Sequence, residues 1–297
     1  MGHGWLNLLK PPGMTSHQAV AVVRRVLGLR RVGHTGTLDP AAAGVLAIAV
    51  GQATRLADFV GELPKAYRAE VTFGVATDTL DAEGRITQTC EAPVSRETVE
   101  AALTQFRGEI RQRPPAYSAV HHQGRRSYEL ARRGEAVQPE ERVVRIDALS
   151  LIGFEEGPRA RAMLDVVCSK GTYIRSLAAD LATAVGSCGY LSFLLRTRVG
   201  PFVLADSKTL EELQARGAEL LEPMEVGVSH LQAQTLDEDE ARRIATGQPV
   251  ATAAPGGTRL RLHEQSGRLL AIAEAADGMA RPRIVFHEVS SPWMGEE

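Results

Sequence analysis

Apolar residues recur at helical spacing from Ser16 to Leu27 (Ala19, Val20, Val22, Val23, Val26, Leu27). The pattern predicts a helix with Ser16 as its N-cap and Gly28 as its stop. The stretch that follows, RRVGHTGTLDPAAAG, is rich in Gly, Thr and Pro and predicts a loop. It runs into VLAIAV (Val45–Val50), a short apolar run read as a buried strand, and Ala53–Val60 reads as helical. Tyr67, Ala69, Val71, Phe73 and Val75 alternate with Arg68, Glu70, Thr72 and Gly74, the signature of a half-buried strand. Further helices are expected over Arg96–Phe106 and Ser127–Arg133, and strands over Val143–Ile152, Met163–Ser169 and Leu191–Arg198. Between the last two, Thr172 could cap a helix whose inner face carries Ile174, Leu177, Ala178 and Leu181.

Strands and helices alternate without regular βαβ spacing, so the expected class is α+β with a mixed, mostly antiparallel sheet flanked by helices and loops. The pattern changes after about Val228. Asp237–Glu240 form an acidic first turn, Arg242 and Arg243 a basic last turn, and Gly247 a stop, which together complement a helix dipole. Short strands around Arg259–His263, Leu269–Ala273 and Arg283–His287 follow, separated by Gly-rich turns, with Ala251–Thr258 as a loop. The tail, 229–297, is therefore expected to be a small, separate β-rich module after a main domain at 1–228.

At 297 residues, with 44% hydrophobic and 24% charged, the chain can build a large core, which argues against wholesale disorder. No apolar run approaches the roughly 18 residues that span a bilayer, and the amino end lacks the pattern of a signal peptide. Three scattered cysteines, Cys90, Cys168 and Cys188, with no CxxC pair, point to a reducing cytoplasm. The net charge of −2 conceals a split, with residues 1–205 at +5 and 206–297 at −7. Seven arginines against two acids between Gln105 and Arg133 could attract a polyanion such as nucleic acid. Charge permits an RNA partner without identifying one.

Three segments could carry chemistry. In Gly33-His34-Thr35-Gly36-Thr37-Leu38-Asp39-Pro40, two glycines allow close backbone approach and Pro40 restricts Asp39 to an extended conformation. A carboxylate so held could act as nucleophile or general base, although an Asp-Pro pair by itself is more commonly a turn starter. Lys170-Gly171-Thr172-Tyr173-Ile174-Arg175 joins a strand end to a helix start, where Arg175 could orient a carboxylate or simply be a surface arginine. Pro114-Pro115-Ala116-Tyr117-Ser118, followed by His121-His122-Gln123-Gly124-Arg125-Arg126, suits a loop that stacks on and neutralises RNA. The adjacent histidines have no acidic or cysteine partner at zinc-ligand spacing, so no metal is expected.

Taken together, these segments resemble the bacterial tRNA pseudouridine-55 synthases, the TruB family. LLKPPGMTSHQAV (Leu8–Val20), GHTGTLDPAAAGVLAIAVGQATRLADF (Gly33–Phe59) and KAYRAEVTFGVATDTLDAEG (Lys65–Gly84) carry the likeness. It continues through RPPAYSAVHHQGRRSYELARRG (Arg113–Gly134), CSKGTYIRSLAADL (Cys168–Leu181) and LLRTRVGPF (Leu194–Phe202), in the family's order. The resemblance implies a pseudouridine-synthase fold with a C-terminal PUA-like module, and an RNA-contacting arm around 107–142. It implies Asp39 as the essential aspartate, Tyr67 as the tyrosine that stacks on the target base, and Arg175 as the arginine paired with the aspartate. His34, Asp81, Tyr173 and Leu195 are implied as substrate contacts. One departure is visible: the family usually has a lysine after PPxYSA, where this chain has His121. The implied activity is isomerisation of uridine-55 in the T loop of tRNA by a cytoplasmic monomer that needs no protein partner and binds no membrane.

The chemistry suits that set. Pseudouridine formation breaks the N1–C1′ bond of uridine, turns the base and joins C5 to C1′, so stoichiometry demands no cofactor. A developing cationic sugar needs a nearby carboxylate, as in glycoside cleavage, and the base must first leave its stack at a cost of a few kcal/mol.

Overall fold

The computed structural model describes residues 2–115 and 139–286, with the backbone of His121–His122 and Arg125–Arg126. The helix expected over Ser127–Arg133 lies outside the described residues. In chain order, β1 (Gly4–Lys10), α1 (Ser16–Leu27), β2 (Val32–His34), β3 (Ala43–Val50) and α2 (Ala57–Glu62) are followed by β4 (Lys65–Phe73) and the hairpin β5 (Val75–Thr77) and β6 (Ile86–Thr89). Next come α3 (Arg96–Leu103), β7 (Gly108–Gln112), β8 (His121–His122), β9 (Arg125–Arg126), β10 (Arg142–Glu155) and β11 (Arg161–Cys168). Then α4 (Ile174–Ala184), β12 (Gly189–Val199), β13 (Phe202–Val203) and α5 (Leu210–Arg216) lead to the tail. The tail holds β14 (Gln232–Thr235), α6 (Glu238–Ala245), β15 (Val250–Ala251), β16 (Arg259–His263), β17 (Leu269–Ala276) and β18 (Met279–Val285).

The central sheet runs β1-β3-β12-β4-β11-β10-β7, with β2 on β3 and β13 on β12, and its β12–β3 pairing is parallel while the rest are antiparallel. This is the mixed, mostly antiparallel α+β sheet the pattern predicts. Period-2 alternation places Ala69, Val71 and Phe73 of β4 against Leu177, Ala178 and Leu181 of α4 in one core. A second core, on β1, β3 and α1, collects Leu6, Leu8, Leu46, Ile48 and Val50 with Ala19, Val20 and Val23.

The tail forms its own sheet, β14-β16-β17-β18-β15. Its apolar residues do not all stay within it, for Leu269, Ile272 and Phe286 pack with Trp5, Ala49, Leu56 and Val60. Separate in its hydrogen bonding, the tail sheet shares a hydrophobic core with the central domain.

Several local expectations change. β1 and β2 are strands that the pattern did not announce: LLKPPG reads as a motif, and β2 is only three residues of a Gly-containing loop. Thr15, not Ser16, caps α1, through a reciprocal capping box with Gln18. Tyr173, not Thr172, occupies the N-cap of α4. Thr172 instead donates its hydroxyl to Ser169 O, and the buried Gln112 amide on β7 accepts from Tyr173 N (2.7 Å) and donates to Tyr173 O (3.0 Å). A side chain 61 residues away thus does the work that a local cap usually does.

The cysteines also differ from the reading of scattered thiols. Cys90 and Cys188 form a disulfide across 98 residues, and Cys168 stays free and buried. Gly74 accounts for the meeting, because its N–H donates to Cys188 O and its carbonyl accepts from Cys90 N. Among the described residues no helix is long and apolar enough to cross a membrane.

Candidate active site

The loop between β2 and β3 carries Asp39, and buried polar groups hold it on both sides. Ser16 Oγ accepts from Leu38 N (2.9 Å) and donates to Leu38 O (3.1 Å), so the residue expected to cap α1 instead clamps the residue before Asp39. On the other side, Pro40 O accepts from Gly13 N (2.9 Å) and from Lys10 Nζ (3.3 Å). Lys10 is fully buried and also donates to Pro11 O and Met14 O. Burial, with the cation of Arg196 adding to it, pushes its pKa down to about 8.

Asp39 itself remains open, its side chain 42% exposed. Its Oδ2 lies 3.1 Å from Arg175 Nε, at the first turn of α4, and the arginine is buried to 7% exposure. The same guanidinium meets Asp81 Oδ2 at 3.3 Å through Nη1, which also donates to Thr79 O (3.1 Å). Asp81 is oriented in turn, since its Oδ1 accepts from Thr79 Oγ1 (2.5 Å) and from Glu83 N (3.1 Å). One buried cation therefore joins two carboxylates, one buried and one presented to solvent. That arrangement holds the Asp39 carboxylate in one orientation at the solvent edge, where it can act on a bound molecule.

Tyr67, on β4, packs against the core beneath this loop and lies opposite Arg196 on β12. Burial raises the pKa of its hydroxyl, and the positive field of the nearby Arg196 guanidinium works against that rise. Asp39 is close enough to add its own negative field to the Tyr67 hydroxyl. Tyr173 is held by Gln112, and Arg142 sits over its ring at 5.5 Å from the centroid. Leu195 lies opposite Arg68 in the register with β4 and beside Ala43, at the exit of the Asp39 loop, in the register with β3, while its neighbour Leu194 packs with Tyr67 against the core. A β-bulge between Leu191 and Phe193 sets this phase, which sequence spacing does not disclose.

His34 stands at the end of β2, its ring edge-on to His17 at 5.5 Å, with Nδ1 buried and unpaired among the described residues. Burial, then the nearby His17 and Arg196, push its pKa down to about 4. The ring is therefore neutral at pH 7. A folded pKa below the unfolded 6.5 means the unfolded chain takes up the proton first, so stability is lost as pH falls from about 6.5 to about 4. At about 1.4 kcal/mol per pH unit the loss is roughly 2–3 kcal/mol. His34→Gln should lack this component, and urea denaturation of both proteins at pH 7 and pH 4.5 measures the difference; equal acid losses would refute the assignment.

Of the residues singled out from sequence, Asp39, Arg175 and Asp81 are joined directly, and Tyr67 and His34 border the same loop. Lys10, Ser16 and Arg196 escaped that reading, because each acts on the loop from a distant element. Lys10 and Ser16 do fall within the quoted LLKPPGMTSHQAV segment, the only signal that could have found them. Among the described residues no group of three or more His, Cys, Asp or Glu could hold a metal ion.

Comparison with known proteins places this geometry in a family. Residues 24–174 match the TruB family pseudouridylate synthase N-terminal domain, and residues 233–286 match the C-terminal domain of pseudouridine synthase II TruB. The chain is 57% identical over 221 residues to tRNA pseudouridine synthase B of Symbiobacterium thermophilum, covering 74% of each chain. It is 43% identical over 294 residues to the same-named protein of Heliobacterium modesticaldum, covering 95% of each. Among solved structures it is similar to a chain in the crystal structure of a Cbf5-Nop10-Gar1 complex, with a TM-score of 0.74 and 26% identity over 96% of this chain and 84% of that one. These matches cover the Asp39 loop, the Arg175 helix and the tail sheet together, and the chain belongs to the TruB family of pseudouridylate synthases.

Proposed function

We propose that the protein isomerises uridine-55 in the T loop of tRNA to pseudouridine, with Asp39 as the group that acts at the sugar. The relatives' shared description, tRNA pseudouridine synthase B, supports the substrate class and the isomerase activity. The observation that carries the site assignment is the half-exposed Asp39 carboxylate held at 3.1 Å by the buried Arg175.

In this reading the target uridine leaves its stack and its base lies against the Tyr67 ring. Asp39 promotes cleavage of the N1–C1′ bond, either by attack at C1′ or by taking a sugar proton first. The detached base turns and C5 joins C1′ as Asp39 gives back the bond or the proton it took; C5 then loses its proton and N1 gains one, so atoms balance within one nucleotide. Arg175 keeps the carboxylate aimed through the cycle, and Asp81 holds Arg175. His34, neutral and on the same loop, and Tyr173, beside Arg175, contact the nucleotide. The basic arm at 107–142 grips the T stem-loop by phosphate neutralisation, and the tail module at 229–297 adds further contacts to the RNA. The enzyme acts as a cytoplasmic monomer on bare tRNA, without a guide RNA or protein partner.

Incubating the purified chain with an unmodified tRNA transcript and mapping pseudouridine tests the reading. A single product at position 55 is expected. Product elsewhere, or only when a guide RNA is added, would overturn it.

A further inference from the structure

Arg196 is 2% exposed, and its charge is unusually placed. Among the described residues its guanidinium donates to three backbone carbonyls, Val45 O (2.8 Å), Gly36 O (3.0 Å) and Thr37 O (3.3 Å). A buried cation served only by neutral oxygens is costly to fold. Exceptions to such rules concentrate where function requires them.

The partners lie at the two ends of one loop. Gly36 and Thr37 precede Asp39, and Val45 follows it. The Arg196 backbone adds a second attachment, for it pairs with Gly44 in the parallel contact between β12 and β3. Gly44 has φ +112°, and a Cβ there would stand 2.2 Å from Arg196 O, so glycine is what permits the approach. Across the other edge of β12, Arg196 lies opposite Tyr67 on β4. One residue therefore touches the entry of the Asp39 loop and its exit, and faces Tyr67 across the strand pair. Its field also reaches Lys10, His34 and Lys65, lowering the pKa of each.

We propose that Arg196 is a positioning residue for the isomerisation, fixing the Asp39 loop at a set place beside the β4 strand that carries Tyr67, through the Gly36, Thr37 and Val45 carbonyls and the close backbone approach at Gly44. The inference rests on the reading of Asp39 and Tyr67 as the reacting and stacking groups. Arg175 aims the Asp39 side chain, whereas Arg196 places the backbone that carries it. Lysine does not substitute, because an ammonium gathers its acceptors around one atom, as Lys10 does, whereas the Val45, Thr37 and Gly36 carbonyls are each met by a different guanidinium nitrogen.

Arg196→Lys and Arg196→Gln, made in the full chain, test this in single-turnover assays on tRNA transcript, with tRNA Kd and thermal midpoint measured alongside. A fall in the chemical rate of about 100-fold is expected for both, at unchanged Kd and with no recovery by lysine; displacement of a reacting group by about 1 Å has that effect. A folded Arg196→Lys with the wild-type rate overturns the proposal, as does a loss of affinity that accounts for the whole loss of activity. Should neither variant fold, Gly44→Ala decides, because its Cβ would stand 2.2 Å from Arg196 O and so disturbs the same attachment from the β3 side with Arg196 left in the chain. A rate lowered about 10-fold at unchanged Kd is then expected, and a wild-type rate overturns the proposal. Asp39→Asn is assayed in parallel: an active Asp39→Asn sinks the site reading itself, while an inactive one beside fully active Arg196 variants sinks this inference alone.

Discussion

Asp39→Asn should make no detectable pseudouridine while folding normally and binding tRNA with unchanged affinity. The substitution is nearly isosteric and removes the anion alone. Asparagine can still offer its carbonyl oxygen to Arg175 Nε, and the position is 42% exposed, so little stability is at stake. The loss should fall on chemistry, on the order of 10⁴-fold or more, because a reacting group whose charge develops against the sugar has no substitute in this loop. Single-turnover assays with mapped product, read beside a filter-binding Kd, give both numbers. Appreciable turnover by the variant would remove Asp39 from the reaction; a parallel collapse in affinity would make it a binding residue.

Arg175→Met should fail in two ways at once. Asp81, 14% exposed, loses the cation that compensates its burial, and removing one partner of a buried pair typically costs about 3–5 kcal/mol. Methionine keeps the apolar stem in its place under the Thr79–Asp81 turn but cannot donate. Asp39, no longer held at 3.1 Å, should lose alignment, and the rate should fall by about 10³-fold even well below the melting temperature. Urea denaturation and single-turnover rates on the same preparation distinguish this outcome from that of Asp39→Asn, which is expected to retain stability. If Arg175→Met kept its midpoint and lost only activity, the pairing with Asp81 would carry no structural weight. A variant that lost stability alone would deny Arg175 any part in aiming Asp39.

Much of this organisation is legible from residue order because it is local. The 3.6-residue recurrence over Ser16–Leu27 and the two-residue alternation over Tyr67–Phe73 report a helix and a strand with one buried face each, and both form. The acidic-to-basic gradient over Asp237–Arg243 likewise marks α6, down to its Asp237 cap. Asp39, Tyr67 and Arg175 came from motif likeness rather than from periodicity, since an Asp-Pro turn or a lone arginine has no chemistry until something faces it.

What local pattern misses are groups defined by a distant partner. Ser16 has the composition of a cap, yet its hydroxyl goes to Leu38 because α1 packs beside the catalytic loop and Thr15 already caps the helix. Leu195 and Leu194 are adjacent apolar residues whose faces are decided by a bulge three or fewer positions upstream. Cys90 and Cys188 meet only because the β5–β6 hairpin returns to the start of β12 around Gly74.

Residue order alone therefore determined the helices and strands, the α+β class and the family's motif set, since each of these depends on neighbours within a few positions along the chain. The family likeness implied that Arg175 pairs with Asp39, but only tertiary structure decided what else each guanidinium meets. Arg175 reaches Asp81 across 94 residues of sequence, and Arg196 reaches Gly36 across 160. Such contacts depend on how strands are ordered in the sheet, and strand order is set by the shared burial of faces, which no single segment contains.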